Sequence, residues 1–278
     1  MIEKKTLYVT DLDGTLLNSE SRISEESKYA LNSLSSRGCP ITFATARTPA
    51  TVKCLFEGIK LNIPGVVMTG ASLYDLDKGE YINPHFISEE QVSIILEIME
   101  NLNVTPFVYT LSDAKLTAYH KKQMSTDETV FYSMRRDCNL KKFVFSDDIS
   151  KWRLDNALLI FAIGRLETFQ HLSIEIEKAI GYSPTYYNDI MNPGKGYFEI
   201  FAPEVSKAAA IERLKMEYGF TRVVVFGDNR NDLSMFKIAD LSIAPSNAYD
   251  DVKSMADLII GDNDSNSVVK FIIRDFGE

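Results

Sequence analysis

The chain is poor in the features that mark secreted, membrane-spanning and nucleic-acid-binding proteins. It has three cysteines, Cys39, Cys54 and Cys138, among 278 residues. An odd number, widely spaced and without a CxxC pair, argues against a disulfide framework or a zinc site. It predicts free thiols, buried or partly buried, in a reducing compartment. No apolar run approaches the ~18 residues that cross a bilayer. Met1-Ile2-Glu3-Lys4-Lys5 leads directly into a strand pattern, without the apolar stretch of a secretory signal. A cytoplasmic location and no membrane partner are therefore expected. Positive charge is in deficit, with 30 Lys and Arg against 39 Asp and Glu and a net charge of −9. That balance disfavours nucleic acid as a partner. It is compatible with a small anionic substrate, because a metal ion and a few lysines reverse the field at one site. His120 and His171 lack metal-ligand spacing, and there is no internal repeat or low-complexity segment. What the chain does have is the 45% apolar and 25% charged content of a globular protein.

The first 80 residues alternate strand and helix. Leu7–Thr10 reads as a short buried strand, and Ile23 to Ser36 as a helix with Ser24 at its N-cap. Ile41–Ala44 reads as a second strand. Thr48-Pro49 opens a helix predicted over 50–59, and Val66–Thr69 is a third strand. Strands joined through helices predict a parallel, helix-covered sheet. From Ser88 the pattern changes to a helix over 89–101, strands over 106–110, 115–119 and 157–163, a helix over 166–180 and a strand over 185–188. A polar stretch over 121–139 carries no assigned element. The first style returns near Gly194, with strands over 197–201, 222–226, 241–243 and 258–260, helices over 207–218 and 232–238, and a closing helix over 268–275. The fold class expected is α/β: a Rossmann-like parallel-sheet core of residues 1–84 and 190–278, with an α+β domain of residues 85–189 inserted in it.

The chemistry-bearing residues fall at the ends of these elements. Asp11-Leu12-Asp13-Gly14-Thr15 follows the first strand, and the carboxyl ends of strands are where open α/β sheets bind ligands. Asp11 is a candidate nucleophile, since a carboxylate can attack phosphorus. Asp13, on the same side of an extended chain, is placed to protonate a leaving alkoxide and then activate water. Gly14 permits the bend that turns amides toward a phosphate. Thr45 and Arg47 end the second strand; Thr45 offers a hydroxyl to a phosphate oxygen, and Arg47 reaches either the phosphate or a neighbouring carboxylate. Lys207 begins a helix and is suited to neutralise developing charge and hold Asp11. Gly227-Asp228-Asn229-Arg230-Asn231-Asp232 follows the strand over 222–226. Asp11, the Asp13 carbonyl and Asp228 would supply the oxygen half-shell that Mg2+ prefers, and Asn231 and Asp232 can complete or orient it. Singly, Lys207 reads more readily as a surface lysine on an amphipathic helix, and the Asp228 cluster reads equally as a helix cap; in combination they read as a phosphoryl-transfer site.

The chain resembles the haloacid dehalogenase superfamily of phosphatases, and within it the Cof-type subfamily with a large α/β cap. The matching residues are Asp11-Leu12-Asp13-Gly14-Thr15-Leu16, Ala44-Thr45-Ala46-Arg47, Val205-Ser206-Lys207, and Gly227-Asp228-Asn229-Arg230-Asn231-Asp232 with Met235. Ala239-Asp240-Leu241-Ser242-Ile243-Ala244 and Asn247-Ala248 also fit. The resemblance implies a Mg2+ requirement and phosphomonoester hydrolysis through an aspartyl-phosphate. It assigns catalysis to Asp11, Asp13, Thr45 and Lys207. It assigns phosphate binding to Gly14, Thr45, Arg47, Lys207 and Asn231, and metal binding to Asp11, Asp13 and Asp228. It places Asn231 and Asp232 near the metal and the lysine. Ala46, Thr69 and Ala208 depart from the family pattern, and none removes a catalytic group.

The expected substrate is a small phosphorylated metabolite, most plausibly a sugar phosphate, and the inserted domain is the expected selecting lid. Alternatives are a phosphomutase or phosphotransferase on the same core, a phosphatase of pyridoxal phosphate or flavin mononucleotide, and a receiver-like signalling module. Asp13 weighs against the last, since turnover needs an acid/base and a stable signal does not. A monomer or weak homodimer is expected.

Overall fold

A computed structural model describes residues 5–136, 139–189 and 192–277. Cys138 and the expected boundary at residue 190 lie outside the described residues. The chain divides into two compact units, one of residues 1–83 and 205–278, the other of residues 84–204.

The first unit begins with β1 (Thr6–Thr10), α1 (Glu25–Ser36), β2 (Ile41–Phe43), α2 (Pro49–Val52), β3 (Gly65–Val67), β4 (Ser72–Asp75) and β5 (Glu80–Ile82). The second contains α3 (Glu89–Asn101), β6 (Phe107–Ser112), β7 (Lys115–His120), α4 (Thr126–Ser133), β8 (Lys141–Phe145), β9 (Ala157–Arg165), α5 (Leu166–Ile180), β10 (Thr185–Asn188) and β11 (Lys195–Ile200). The chain then returns to the first unit with α6 (Lys207–Tyr218), β12 (Arg222–Phe226), α7 (Leu233–Phe236), β13 (Leu241–Pro245), α8 (Asp250–Lys253), β14 (Leu258–Ile260) and α9 (Ser267–Gly277).

Among the described residues the first unit holds a parallel sheet in the order β14-β13-β12-β1-β2. Its central strands are runs of apolar residues because both faces are covered. Leu7, Val9, Val223 and Val225 are fully buried against Ile211 and Leu214 of α6 and Met235 of α7. The chain passes from β1 to β2 on one side and later to β12 on the other, so the order reverses at β1 and β12. A sheet of this kind opens a crevice for ligands at such a reversal, outside the carboxyl ends of its strands. Thr10 stands in register with Phe226 and Phe43, so the residues after all three strands emerge together. β3 joins the edge of β2 through a bridge between Ala44 and Val66 and forms an antiparallel sheet with β4 and β5.

The second unit is a sheet in the order β10-β11-β9-β6-β7-β8, antiparallel except where β7 meets β8. α3 and α5 bury Ile95, Met99, Phe169 and Leu172 against Val108, Ile160 and Phe198 on one face. Phe131 of α4 stacks on Phe161 at 4.8 Å on the other.

The structure differs from the sequence reading in four places. The strand near 197 belongs to the second unit: β11 pairs antiparallel with β9 and β10, which carries that unit to Glu204. The helix expected over 50–59 is only α2, followed by turns, and Gly58 adopts φ +74°. The polar stretch over 121–139 contains α4, started by a capping box in which Ser125 and Glu128 bond each other's backbone amides at 3.2 and 2.6 Å. β8 follows it, where no strand was assigned. Of the two described cysteines, Cys39 is buried and Cys54 is exposed, both as free thiols.

Candidate active site

The site grows from the ends of β1, β2 and β12 and from the N-terminus of α6. The Asp11 amide donates to the Phe226 carbonyl at 2.8 Å. This bond continues the β1–β12 ladder by one residue and holds Asp11 beside the Gly227-Asp228 segment. A single irregular turn, Leu12–Leu16, follows. Gly14 within it has φ +74°, and a Cβ there would run into the Asp228 carboxylate. A bare backbone is therefore what lets the two segments close. Thr15 Oγ1 donates to Asp228 Oδ1 at 2.8 Å, and Asn247 Nδ2 donates to the Gly14 carbonyl at 2.8 Å.

Lys207 sits at the first helical position of α6. Ser206 caps that helix, its hydroxyl accepting from the Ala209 amide at 3.0 Å. The Lys207 side chain is wholly buried, and Nζ donates to Asp11 Oδ1 at 2.6 Å and to Asp232 Oδ1 at 2.7 Å. Burial alone would discharge the ammonium. Asp11 and Asp232 outweigh it and hold the lysine pKa above its ordinary value. Asp232 Oδ2 accepts the amides of Asp228 and Asn229, both at 3.0 Å. With Lys207 on one oxygen and two amides on the other, Asp232 is a brace for the loop.

Asp11, Asp228 and Asp232 each bring one carboxylate oxygen within 4.8 Å of the others. Three like charges at this spacing with one lysine among them leave an unbalanced negative site. Burial pushes the Asp228 carboxyl up to about 6, with the Thr15 bond acting against it. These are hard oxygen donors, the set that a small divalent cation takes. The residues present therefore fit a divalent metal.

Thr45 is buried. Its amide donates to the Val66 carbonyl at 2.9 Å, and its hydroxyl oxygen accepts the Arg47 amide at 3.2 Å. The hydroxyl proton is not used in that bond. Arg47 takes the second of its two expected partners, the carboxylate: its Nε donates to Asp13 Oδ2 at 2.7 Å and its Nη2 to Asp13 Oδ1. Asp13 is half-exposed, its side chain 54% accessible. Asn231 is exposed on a short turn, with its carbonyl accepting from Ser234 Oγ at 3.3 Å. Its side chain makes no hydrogen bond among the described residues. The structure thus gathers Asp11, Lys207, Asp228 and Asp232 into one bonded cluster, sets Asp13 with Arg47 beside it, and leaves Asn231 outside. Thr15 and Asn247 bond directly into the site although the residue-by-residue reading gave neither a role. Thr15 lay inside the opening motif. Asn247 is marked in the sequence only by the Asn247-Ala248 match to the family pattern, since its partner is 233 residues away.

A family model described as haloacid dehalogenase-like hydrolase matches residues 8–272. A 5-amino-6-(5-phospho-D-ribitylamino)uracil phosphatase, YcsE of Bacillus subtilis (strain 168), is 27% identical over 268 residues, covering 96% of this chain and 94% of the relative. The pyridoxal phosphate phosphatase YbhA of Escherichia coli (strain K12) is 24% identical over 268 residues, covering 94% and 95%. The crystal structure of TM0651 from Thermotoga maritima superposes with a TM-score of 0.78 at 25% identity, covering 96% of each chain. With the strand-end carboxylates and buried lysine described above, the match along nearly the whole chain leads to one conclusion: the protein belongs to the haloacid dehalogenase-like hydrolases.

Proposed function

We propose that the protein is a Mg2+-dependent phosphatase that hydrolyses small phosphomonoesters, with sugar phosphates as the substrate class, through an aspartyl-phosphate at Asp11. The observation that carries this reading is the position of Lys207 Nζ, which bridges Asp11 and Asp232 at 2.6 and 2.7 Å at the carboxyl end of β1. Lys207 thereby orients the Asp11 carboxylate and leaves its second oxygen for phosphorus.

In the first step the Asp11 carboxylate forms a bond to phosphorus as the ester oxygen leaves, and Asp13 gives that oxygen a proton. In the second, water attacks phosphorus, Asp13 takes its proton, and the bond from phosphorus to Asp11 breaks to release phosphate. Arg47 holds the Asp13 carboxylate by two parallel bonds and fixes its direction between the steps. Thr45 donates its hydroxyl proton to a phosphate oxygen, and Lys207 offsets the charge that gathers on the others. Asp11, Asp228 and the Asp13 carbonyl would hold the divalent ion, which neutralises phosphate charge. The inserted unit supplies the choice of leaving group.

The names of the relatives set the panel that tests this. Phosphate release is measured with Mg2+ on hexose phosphates, short sugar phosphates, ribitol phosphate, pyridoxal phosphate, flavin mononucleotide and nucleotides. Preferential, metal-dependent release from sugar phosphates is the expected result. A flat, low profile counts against a dedicated sugar phosphatase. Transfer to an added sugar hydroxyl in place of water would make the protein a phosphotransferase.

A further inference from the structure

Met68, Thr69 and Gly70, between β3 and β4, have φ of +50°, +56° and +102°. Left-handed backbone is ordinary for glycine and rare for a β-branched residue. It persists where the surroundings over-determine it, and outliers of this kind cluster at functional sites. Here the surroundings are two segments that carry the chemistry. The Met68 amide donates to the Arg47 carbonyl at 3.0 Å, and the Thr69 amide donates to the Thr45 carbonyl at 3.0 Å. On its other side the turn abuts the start of α6. A Cβ on Gly70 would collide with the carbonyl of Ser206, the residue before Lys207. The Gly70 carbonyl accepts from Arg213 Nη2, in the second turn of the same helix, at 3.1 Å. With the Met68 amide held on Arg47, right-handed dihedrals at Met68 would turn the Thr69 amide away from Thr45, and at Thr69 they would carry Gly70 off α6.

We propose that the Met68-Thr69-Gly70 turn is a positioning element of the reaction, clamping the Thr45–Arg47 loop and the Lys207 end of α6 into one register. It acts through its backbone, and it rests on the phosphatase reading above. The strain in the turn is the consequence of meeting two partners at once: its amides face one segment while the α-carbon of Gly70 lies on the other.

Steady-state kinetics on the best ester of the panel, together with amide hydrogen exchange, test it. Thr69→Gly and Thr69→Asn accept a left-handed backbone, and Thr69→Val keeps the branch while losing the hydroxyl; all three are expected to keep kcat within about 2-fold. Gly70→Ala is expected to lose about 10²-fold in kcat with KM within about 3-fold, the signature of displaced reacting groups. If Gly70→Ala does not fold, Arg213→Gln replaces it. That variant removes the side-chain tie and leaves the backbone intact, with an expected kcat loss of about 10-fold at unchanged KM. In either variant amide exchange is expected to quicken together in residues 45–47 and 207–210. Wild-type kcat in the folded variant used overturns the proposal. So does a large loss in Thr69→Val, which would make the hydroxyl the acting group. A wild-type protein silent on every phosphomonoester sinks the phosphatase reading instead, and the paired change in exchange still reads the clamp.

Discussion

Lys207 and Asp232 form an ion pair of 2.7 Å in which neither side chain reaches solvent. The other oxygen of Asp232 holds the amides of Asp228 and Asn229. One buried carboxylate thus joins the lysine that orients Asp11 to the loop that carries Asp228. Removing one partner of a buried pair strands the other charge, at a cost of roughly 3–5 kcal/mol. Lys207→Met strands two carboxylates, so its unfolding free energy from urea titration is expected to fall by that order and its activity to vanish. The double variant Lys207→Met/Asp232→Asn is expected to be more stable than the sum of the single effects, with a coupling of about 1–3 kcal/mol. Additive losses would mean that the pair is not the unit described.

In the proposed metal set the cation and the proton compete for Asp228. Burial raises its carboxyl to about 6, so the group binds a proton more tightly folded than unfolded. Its contribution to the metal-free protein is present at low pH and is lost as pH rises through about 6. A divalent ion binds the deprotonated form and reverses that trend. Added Mg2+ is therefore expected to raise the melting temperature above pH 6, by about 2.7 kcal/mol of stability at a concentration 100 times Kd. Below pH 6 apparent affinity is expected to fall about tenfold per pH unit. Asp228→Asn is expected to erase the Mg2+ shift, and a shift equal to that of the wild type would remove Asp228 from the metal set.

Asp13 and Arg47 are expected to separate by leaving group. Asp13→Asn removes the proton donor and should cost about 10²–10⁴-fold on an alkyl phosphate. It should cost far less in the first step on p-nitrophenyl phosphate, whose phenolate leaves without a proton, as measured by the pre-steady-state burst. Arg47→Ala frees the Asp13 carboxylate and should give a smaller loss of the same selectivity. Equal losses on both esters would deny Asp13 the role of acid.

At the opposite end of the sheet, Tyr8 OH donates to Asp275 Oδ2 at 2.7 Å, and Arg222 donates to the two Asp275 oxygens at 2.6 and 3.2 Å. These bonds tie β1, β12 and α9. Burial acts against the Asp275 carboxylate, but Arg222 and Tyr8 prevail and hold its pKa below the ordinary value. Its stabilisation is therefore full above about pH 4, the ordinary aspartate value, and is lost as pH falls through the lower folded value. Asp275→Asn is expected to cost about 1–3 kcal/mol at pH 7, by equilibrium unfolding, with kcat unchanged. The difference from the wild type is expected to shrink at low pH, and a constant difference would place its origin in packing.

The parts legible in the sequence were those whose evidence is local. Asp11, Thr45, Lys207 and Asp228 each stand at the end of a strand or the start of a helix, so pattern and chemistry agreed at each. The capping box Ser125–Glu128 is equally local, but charge dominates the stretch around it and masks the helix pattern. β11 was visible as a strand, but its unit was not: a strand pattern says nothing of its ladder partners, which are β9 and β10. The family pattern marks Asn247 as a match and Thr69 as a departure, but the bond to Gly14 and the left-handed turn are illegible for the same reason, since each is defined by what it meets across the fold.

Every step of the proposed reaction depends on the Asp11 carboxylate as the nucleophile toward phosphorus. The measurement is the initial rate of phosphate release from the preferred sugar phosphate, with and without Mg2+, by the wild type and by Asp11→Asn. The expected result is Mg2+-dependent release by the wild type and none above background from a folded Asp11→Asn protein. Full activity in Asp11→Asn would contradict it.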